Sequence, residues 1–369
     1  MIYLLKGRGI PLKTRSAILI VLIISSIYIY SLNQGIIRNF ISEPTSISNS
    51  FEEDGLRELE GMKTQTSNKQ SLPSQGLLTY VGMTAKEVEE ILGKPNRIDR
   101  SPYDYDWWIY NENLEEYLQI GVEQNKVVTV YGIGESINIS PFHIGQAYSQ
   151  VATQFSIDNQ LSFNARFSSF RFELNEVEMK TRPLIEMDDV YIQLYFDTFT
   201  NNLSSIRYMD KETLVKHRPY ELVYRGDLLS SKELTNDDWR EVEEGTAAQI
   251  LDLTNIIRYR HGINPVQWDD KTSIVAYNHS KEMNLEDYFS HQSPNTGGLA
   301  DRLVEGEVPY QLAGENIAAR YVDGIAAVEG WLNSEGHRDT LLNGKFTHLG
   351  VGVFEKHYTQ NFIQKWEHE

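Results

Sequence analysis

Cysteine is missing from all 369 residues. Its absence excludes disulfides, thiolate metal sites and a cysteine nucleophile, so every folded part must hold by packing alone. Two catalytic strings are also missing. No Gly-x-Ser-x-Gly supplies the strained turn of a serine hydrolase, and no His-Glu-x-x-His supplies the helix of a zinc protease. Acid is absent from the first 42 residues, which carry Lys6, Arg8, Lys13, Arg15 and Arg38. The formal charge of the chain is −18, so subtracting those five cations leaves −23 for the remainder. A body that acidic repels phosphate backbones, and no basic stripe with interleaved aromatics offsets it. Nucleic acid is therefore not an expected partner.

What is present is ample for buried cores: 40% of residues are hydrophobic and 11% aromatic. The length points to two globular domains with appendages. Ser16 to Leu32 is an uncharged run of seventeen residues rich in Ile, Leu and Val. As a helix it would reach about 26 Å, just short of a hydrocarbon core of roughly 30 Å. Four cations before it and one after predict an inside N-terminus and an outside C-terminus. No clean small-x-small cleavage site follows, so the expectation is a retained single-pass anchor, with residues 1–40 forming the cytoplasmic N-terminus and membrane helix. Residues 41–76, dominated by Ser, Thr, Asn, Gln and acids with Pro44 and Pro73, read as a disordered tether.

Residues 77–224 read as a β-rich α+β domain with an internal echo. Gly82-Met83-Thr84-Ala85-Lys86-Glu87-Val88 opens a helix that Gly93-Lys94-Pro95 closes. Gly145-Gln146-Ala147-Tyr148-Ser149-Gln150-Val151 repeats the pattern 63 positions later. Strands are expected after each opening. The clearest is Val190 to Phe196, where apolar residues alternate with Tyr191, Gln193 and Tyr195 in the period of a half-buried strand. Its aromatics, Trp107, Trp108 and Tyr110 among them, read as core and sheet faces. Residues 225–245 read as an acidic connector, a solvated linker and helix start, and the domain's helix is expected from near Thr246, with Ala247, Ile250, Leu253 and Ile257 on one face and Gly262 as its stop. Leu349 to Phe354 and Tyr358 to Ile363 alternate as a closing hairpin.

The functional information is concentrated between Phe289 and Gly352. Phe289-Ser290-His291-Gln292-Ser293-Pro294 comes first, then Gly314-Glu315-Asn316-Ile317, then Trp331-Leu332-Asn333-Ser334-Glu335-Gly336-His337-Arg338, then Leu349-Gly350-Val351-Gly352. Each of the first three sets a titratable group beside a turn-former, the sort of position from which side chains converge on a cleft. Two imidazoles and a carboxylate suit a divalent ion such as zinc. The same set suits a general acid–base pair. It also suits a purely structural cluster in which a buried Glu bonds a neighbouring His and needs no ligand.

Taken in order, these four strings, with Asn255, Arg258, Gly262, Pro265, Trp268 and Asp269 before them, resemble the CAP superfamily (cysteine-rich secretory proteins, antigen 5 and pathogenesis-related proteins) in its bacterial, cysteine-free form. The resemblance covers about residues 246–369. Residues 77–224 resemble the CAP-associated N-terminal domain. The fold class implied is α+β: a C-terminal three-layer α-β-α sandwich preceded by the β-rich domain and the anchor.

The family's pattern carried over residue by residue places His291, Glu315 and His337 in one cavity, with a second acid completing a tetrad. Glu335 is the candidate for that fourth place. His357 imitates the family's string but follows Gly350 where the family's histidine precedes it. His279 matches a position of structural use, and Ser293 and Ser334 have turn or capping explanations. The resemblance implies an outward-facing protein of a Gram-positive-type envelope, tethered to the membrane. Its cavity would bind zinc or another divalent cation weakly if at all, or a lipid, protein or cell-wall ligand. The competing reading is a metal-assisted hydrolase of envelope substrate with Glu315 as base.

Overall fold

In a computed structural model of the chain, residues 73–366 are described. The expected membrane helix at 16–32 and most of the expected tether lie outside them. Among the described residues no helix is long and apolar enough to cross a membrane.

The N-terminal domain is built on a seven-stranded antiparallel sheet. Its strands are β1 (Arg97–Arg100), β2 (Asp106–Tyr110), β3 (Leu118–Glu123), β4 (Lys126–Gly132), β7 (Leu184–Met187), β8 (Val190–Asp197) and β9 (Asn202–Met209), in the order β1-β2-β3-β4-β9-β8-β7. A smaller sheet joins β5 (Gln160–Ala165), β6 (Ser168–Glu173) and β10 (Glu221–Arg225). Helices α1 (Ala85–Leu92), α2 (Tyr148–Gln154), α3 (Glu176–Thr181) and α4 (Lys211–His217) connect them.

The echo heard in the sequence is repeated in hydrogen bonds. Gly82 N–H donates to Val127 O at 2.9 Å, and Gly145 N–H to Leu203 O at 2.8 Å. Ala85 N–H reaches Asn125 O, and Tyr148 N–H reaches Asn201 O. Each helix start is thus pinned to the first residues of the second strand of a hairpin, β3–β4 in one case and β8–β9 in the other. Both glycines have φ near +90° (93° and 82°), a conformation that favours glycine. Both hairpins also carry a register shift in their first strand.

Strand β8 departs from the half-buried expectation: all eight of its residues are buried. Ile192, Leu194 and Phe196 pack in one core, while Tyr191 and Tyr195 enter two others on the opposite face. The alternation of residue type therefore records two different covering layers, not core against water. Gln193 is tolerated inside because Tyr195 Oη donates to its amide oxygen at 2.6 Å and its own amide donates to Tyr220 Oη at 2.8 Å.

The second domain opens with α5 (Asn236–Arg260), which starts at Asn236 and not near Thr246. Thr235 and Asp238 form a capping box, and Asp237 and Asp238 sit favourably at the positive end of the helix dipole. The acids read as a connector are largely this helix's first turns, two of which, Asp238 and Glu241, bind Arg100. Then follow β11 (Gln267–Trp268), α6 (Asp270–Leu285), α7 (Leu299–Glu305), β12 (Leu312–Ala319), α8 (Gly324–Leu332), α9 (Glu335–Leu341), β13 (His348–Phe354) and β14 (His357–Gln364).

The sheet order is β11-β13-β14-β12, leaving β12 on an edge. Helices cover both faces. Leu349, Val351 and Val353 pack with Ile250, Leu253 and Ile257 of α5. On the other face a Cβ at Gly350 or Gly352 would collide with the backbone of α6 at Thr272–Ser273 or Ala276–Tyr277. Those two glycines let helix and strand touch backbone to backbone. Arg258, fully buried, ties the far end together by donating to the carbonyls of Asn264, Leu341, Asn343 and Phe346.

The two domains share one core. Tyr105, Trp107, Ile109, Tyr117, Tyr131 and Tyr195 of the first pack in a single cluster with Ile250, Ile256, Ile325, Val328 and Trp331 of the second. Polar contacts cross the same boundary at Arg207–Asp323, Arg97–Asp252, Arg338–Asp197 and Gln249–Asp99.

Candidate functional site

Edge strand β12 organises the site. Successive residues of a strand face opposite ways, so Gly314 and Asn316 look towards the α5/α9 layer while Glu315 looks towards α6 and α7. A Cβ on Gly314 would meet Phe346 and Thr340, and Asn316 Nδ2 donates to His337 O at 3.1 Å and to Gln360 Oε1 at 3.2 Å. On the other side Arg302 Nη2 of α7 reaches Glu315 Oε2 at 2.5 Å, and His291 Nδ1 reaches Glu315 Oε1 at 2.9 Å.

The pair Arg302–Glu315 is interior, its side chains 4% and 3% exposed, whereas the His291 side chain is 57% exposed. Arg302 also donates to the carbonyls of His291 and Gly297, fixing the loop that carries the ring. His279 Nε2 on α6 bonds Ser290 O at 3.1 Å and steadies the same loop from beneath, the structural role expected of it. Ser293 holds the loop's turn, accepting from the backbone N–H groups of Asn295 and Thr296 and donating to Glu282 at 2.7 Å.

Burial pushes the Glu315 carboxyl upward, but the His291 hydrogen bond and the Arg302 charge outweigh it, and its pKa lies below the ordinary value. An ionised carboxylate can only accept, so His291 donates from Nδ1 and its Nε2 is not engaged by Glu315. The His337 ring, half-buried on α9, bonds Ser334 Oγ at 2.9 Å through Nδ1, again leaving Nε2. Desolvation lowers its pKa first, and the nearby charge of His291 lowers it further. The two rings belong to opposite layers about β12, near enough for one to act electrostatically on the other. Trp331 closes part of that edge, its indole N–H donating to Ile317 O at 3.0 Å.

The structure therefore joins His291 to Glu315 and brings His337 within electrostatic range. Glu335 is not brought in. It occupies the first turn of α9, exposed, and among the described residues shares no hydrogen bond with the other three. His357 stands at the far end of β14, bonded to Asn284. Sequence reasoning missed Arg302. A single arginine within a short helix carries no local sign of a partner thirteen residues on in another strand.

As a metal centre the donor set is thin. Both oxygens of Glu315 are engaged, leaving two imidazole nitrogens where zinc takes three or four protein donors. Among the described residues no three His, Asp or Glu side chains are grouped to hold an ion.

Comparison with known proteins agrees with this fold. The family model for the cysteine-rich secretory protein (CAP) family matches residues 251–366, and that for the CAP-associated N-terminal domain matches residues 81–220. The uncharacterized membrane protein YlbC of Bacillus subtilis is 46% identical over 350 residues, spanning 95% of this chain and 98% of that one. The chain belongs to the CAP family. It is of the cysteine-free bacterial type, with the family's associated domain in front. A solved extracellular protein containing an SCP domain, from Bacillus anthracis, superposes on this CAP protein with a TM-score of 0.77 at 46% identity, covering 82% of this chain and 99% of its own. A cysteine-rich secretory protein from Staphylococcus aureus gives a TM-score of 0.71 at 26% identity, covering 80% and 95%.

Proposed function

We propose that this is a membrane-tethered CAP protein, facing outward from a Gram-positive-type envelope, that works by binding a ligand between His291 and His337 without turning it over. The observation that carries the reading is the engagement of Glu315. One oxygen fixes the His291 tautomer and the other is neutralised by Arg302, so the carboxylate orients a ring instead of meeting a ligand. The Nε2 atoms of His291 and His337 are then left for a small ligand, a divalent cation held weakly or a polar group of an envelope component. The membrane and outward placement draws support from the names of the Bacillus relatives, one a membrane protein and one extracellular, and from the charge pattern around residues 16–32. Hydrolysis with Glu315 as base gains no support, because a carboxylate bonded at both oxygens and held ionised is a poor proton acceptor.

The test is calorimetric titration of the full-length protein in detergent with zinc, and separately with soluble cell-wall fragments and short-chain lipid. Binding by one of them that His291→Ala plus His337→Ala abolishes, with the melting temperature unchanged, is the expected result. Binding untouched by the double substitution, or release of products from wall fragments, would sink the reading.

A further inference from the structure

Glu329 lies on α8, 3% exposed, where the CAP domain meets β9 of the first domain. Its Oε1 accepts from Ser205 Oγ at 2.5 Å and from Ser204 Oγ at 3.2 Å, and its Oε2 has no partner. Around it stand Arg260, Asp197, Tyr131 and Tyr195. Arg260 of α5 is the nearby cation, but it donates to Ser204 O at 2.7 Å and lies 3.5 Å from Glu135. Asp197 at the end of β8 adds negative charge and is itself clasped by Arg338. Tyr131 of β4 and Tyr195 of β8 face Glu329 with hydroxyls whose own ionisation burial opposes. Among the described residues no cation forms an ion pair with this carboxylate, and Arg260 acts on it only from further off. The neutral acid suits such a place, since its O–H can serve as a donor and two hydroxyls suffice for its acceptor.

The hairpin that Glu329 bonds through β9 also supports His337. The β8–β9 hairpin grips the chain on both sides of that ring. Asn333 Oδ1 accepts from Thr198 N–H and Thr198 Oγ1, both at 2.8 Å, and Asn333 Nδ2 donates to Phe196 O at 2.9 Å. Arg338 is bidentate to Asp197 at 2.9 and 3.0 Å.

We propose that Glu329 is a protonation latch between the two domains, which holds the β8–β9 hairpin against the helices bearing His337 while the carboxyl is neutral and loosens that junction when it ionises. The proposal does not depend on which ligand the cleft takes. Burial raises the Glu329 pKa to about 7, against the lowering pull of the Ser205 bond and of Arg260. The folded value thus lies above that of an unfolded carboxyl. The stability it contributes is complete below the ordinary carboxyl range and is lost as pH rises through about 7.

Three measurements on the full-length protein in detergent decide it, each with wild type and Glu329→Gln. Infrared difference spectra should show a protonated carboxyl in wild type at mildly acidic pH that disappears around neutrality and is missing in the variant. The melting temperature of wild type should fall relative to the variant as pH rises. Amide exchange in α8, α9 and Ser204–Ser205 should accelerate over the same range in wild type alone. If wild type and variant track one another in melting and exchange, or the carboxyl signal is absent, the latch is wrong. Should Glu329→Gln fail to fold, Ser205→Ala serves instead: removing the bond that favours the ionised form must move the infrared transition to higher pH. An unmoved transition would overturn the proposal equally, and a ligand titration unaffected by any of this would leave the binding reading standing on its own.

Discussion

The guanidinium of Arg207 and the carboxylate of Asp323 lie 2.7 Å apart in the interior, one on β9 of the first domain and the other capping α8 of the second. Their side chains are 0% and 4% exposed. His217 packs in the same pocket, 3.4 Å from Arg207 and 3.0 Å from Tyr105 Oη, its pKa driven well down by burial and by the Arg207 charge. Such a pair is weak evidence for net stability, since both ions were taken out of water. Breaking it by half, however, strands a charge. The first domain is therefore more than a neighbour of the CAP fold. It supplies part of the core and one half of a buried pair.

Asp323→Ala removes the partner of Arg207 and the side-chain cap on Ala326 N–H together. The expected cost is about 3–5 kcal/mol, the range for a buried pair broken on one side. Denaturant titration checks it. Wild type should unfold in one transition reported alike by tryptophan fluorescence and by circular dichroism, because the shared core couples both domains. Two separate transitions would show that the junction contributes little.

Gly352→Ala tests the contact of strand and helix. The new methyl would lie inside the backbone of α6 at Ala276–Tyr277, with no flexible side-chain end to give way. A loss of about 3 kcal/mol or more is expected, at or beyond the upper end of overpacking costs. The thermal midpoint measures it. Gly336→Ala is the control, since a Cβ there meets nothing within 4 Å, and it should leave stability nearly unchanged.

These glycines mark what was legible beforehand. Leu349-Gly350-Val351-Gly352 opened a run read as a strand, and of the strings around His291, Glu315 and His337 the structure bonds the first two at the edge of β12. Local chemistry carried those signals: turn-formers, capping residues and periodicity. What stayed hidden depends on distance in the chain. Arg302 finds Glu315 only after α7 folds over the edge strand, and Glu329 finds Ser205 only when the domains dock. The acidic run of 225–245 read as a linker and helix start with no boundary between them, because charge alone does not distinguish an exposed helix face from a tether. The capping box at Thr235 was the signal that could have separated them.

Glu315→Gln should release the tautomer of His291 while keeping the side chain's shape. If His291 Nε2 contributes to ligand capture, affinity for zinc should fall about 10- to 100-fold, the usual effect of losing an outer-shell partner. Glu335→Ala should change nothing, given its exposed place on α9. Calorimetry on the three proteins separates the roles. A large loss in Glu335→Ala with none in Glu315→Gln would reverse the assignment and make the exposed acid the working one.

The same substitution has a pH signature opposite to that of Glu329. The Glu315 pKa is lower in the folded chain than in the unfolded one, because the His291 hydrogen bond and the Arg302 charge outweigh burial. The folded state therefore binds fewer protons than the unfolded state between the two values. Stability from this group is present above the ordinary carboxyl pKa and is lost as pH falls through the folded value. Wild type should weaken in acid more steeply than Glu315→Gln, and the two curves should draw together below the folded pKa. Near neutrality the variant should be the less stable protein, since Arg302 keeps its buried charge with only an amide to face. Chemical denaturation at stepped pH gives both curves. Parallel curves from acid to neutral pH would mean that Arg302 and His291 do not favour the Glu315 carboxylate, and the tautomer assigned to His291 would lose its basis.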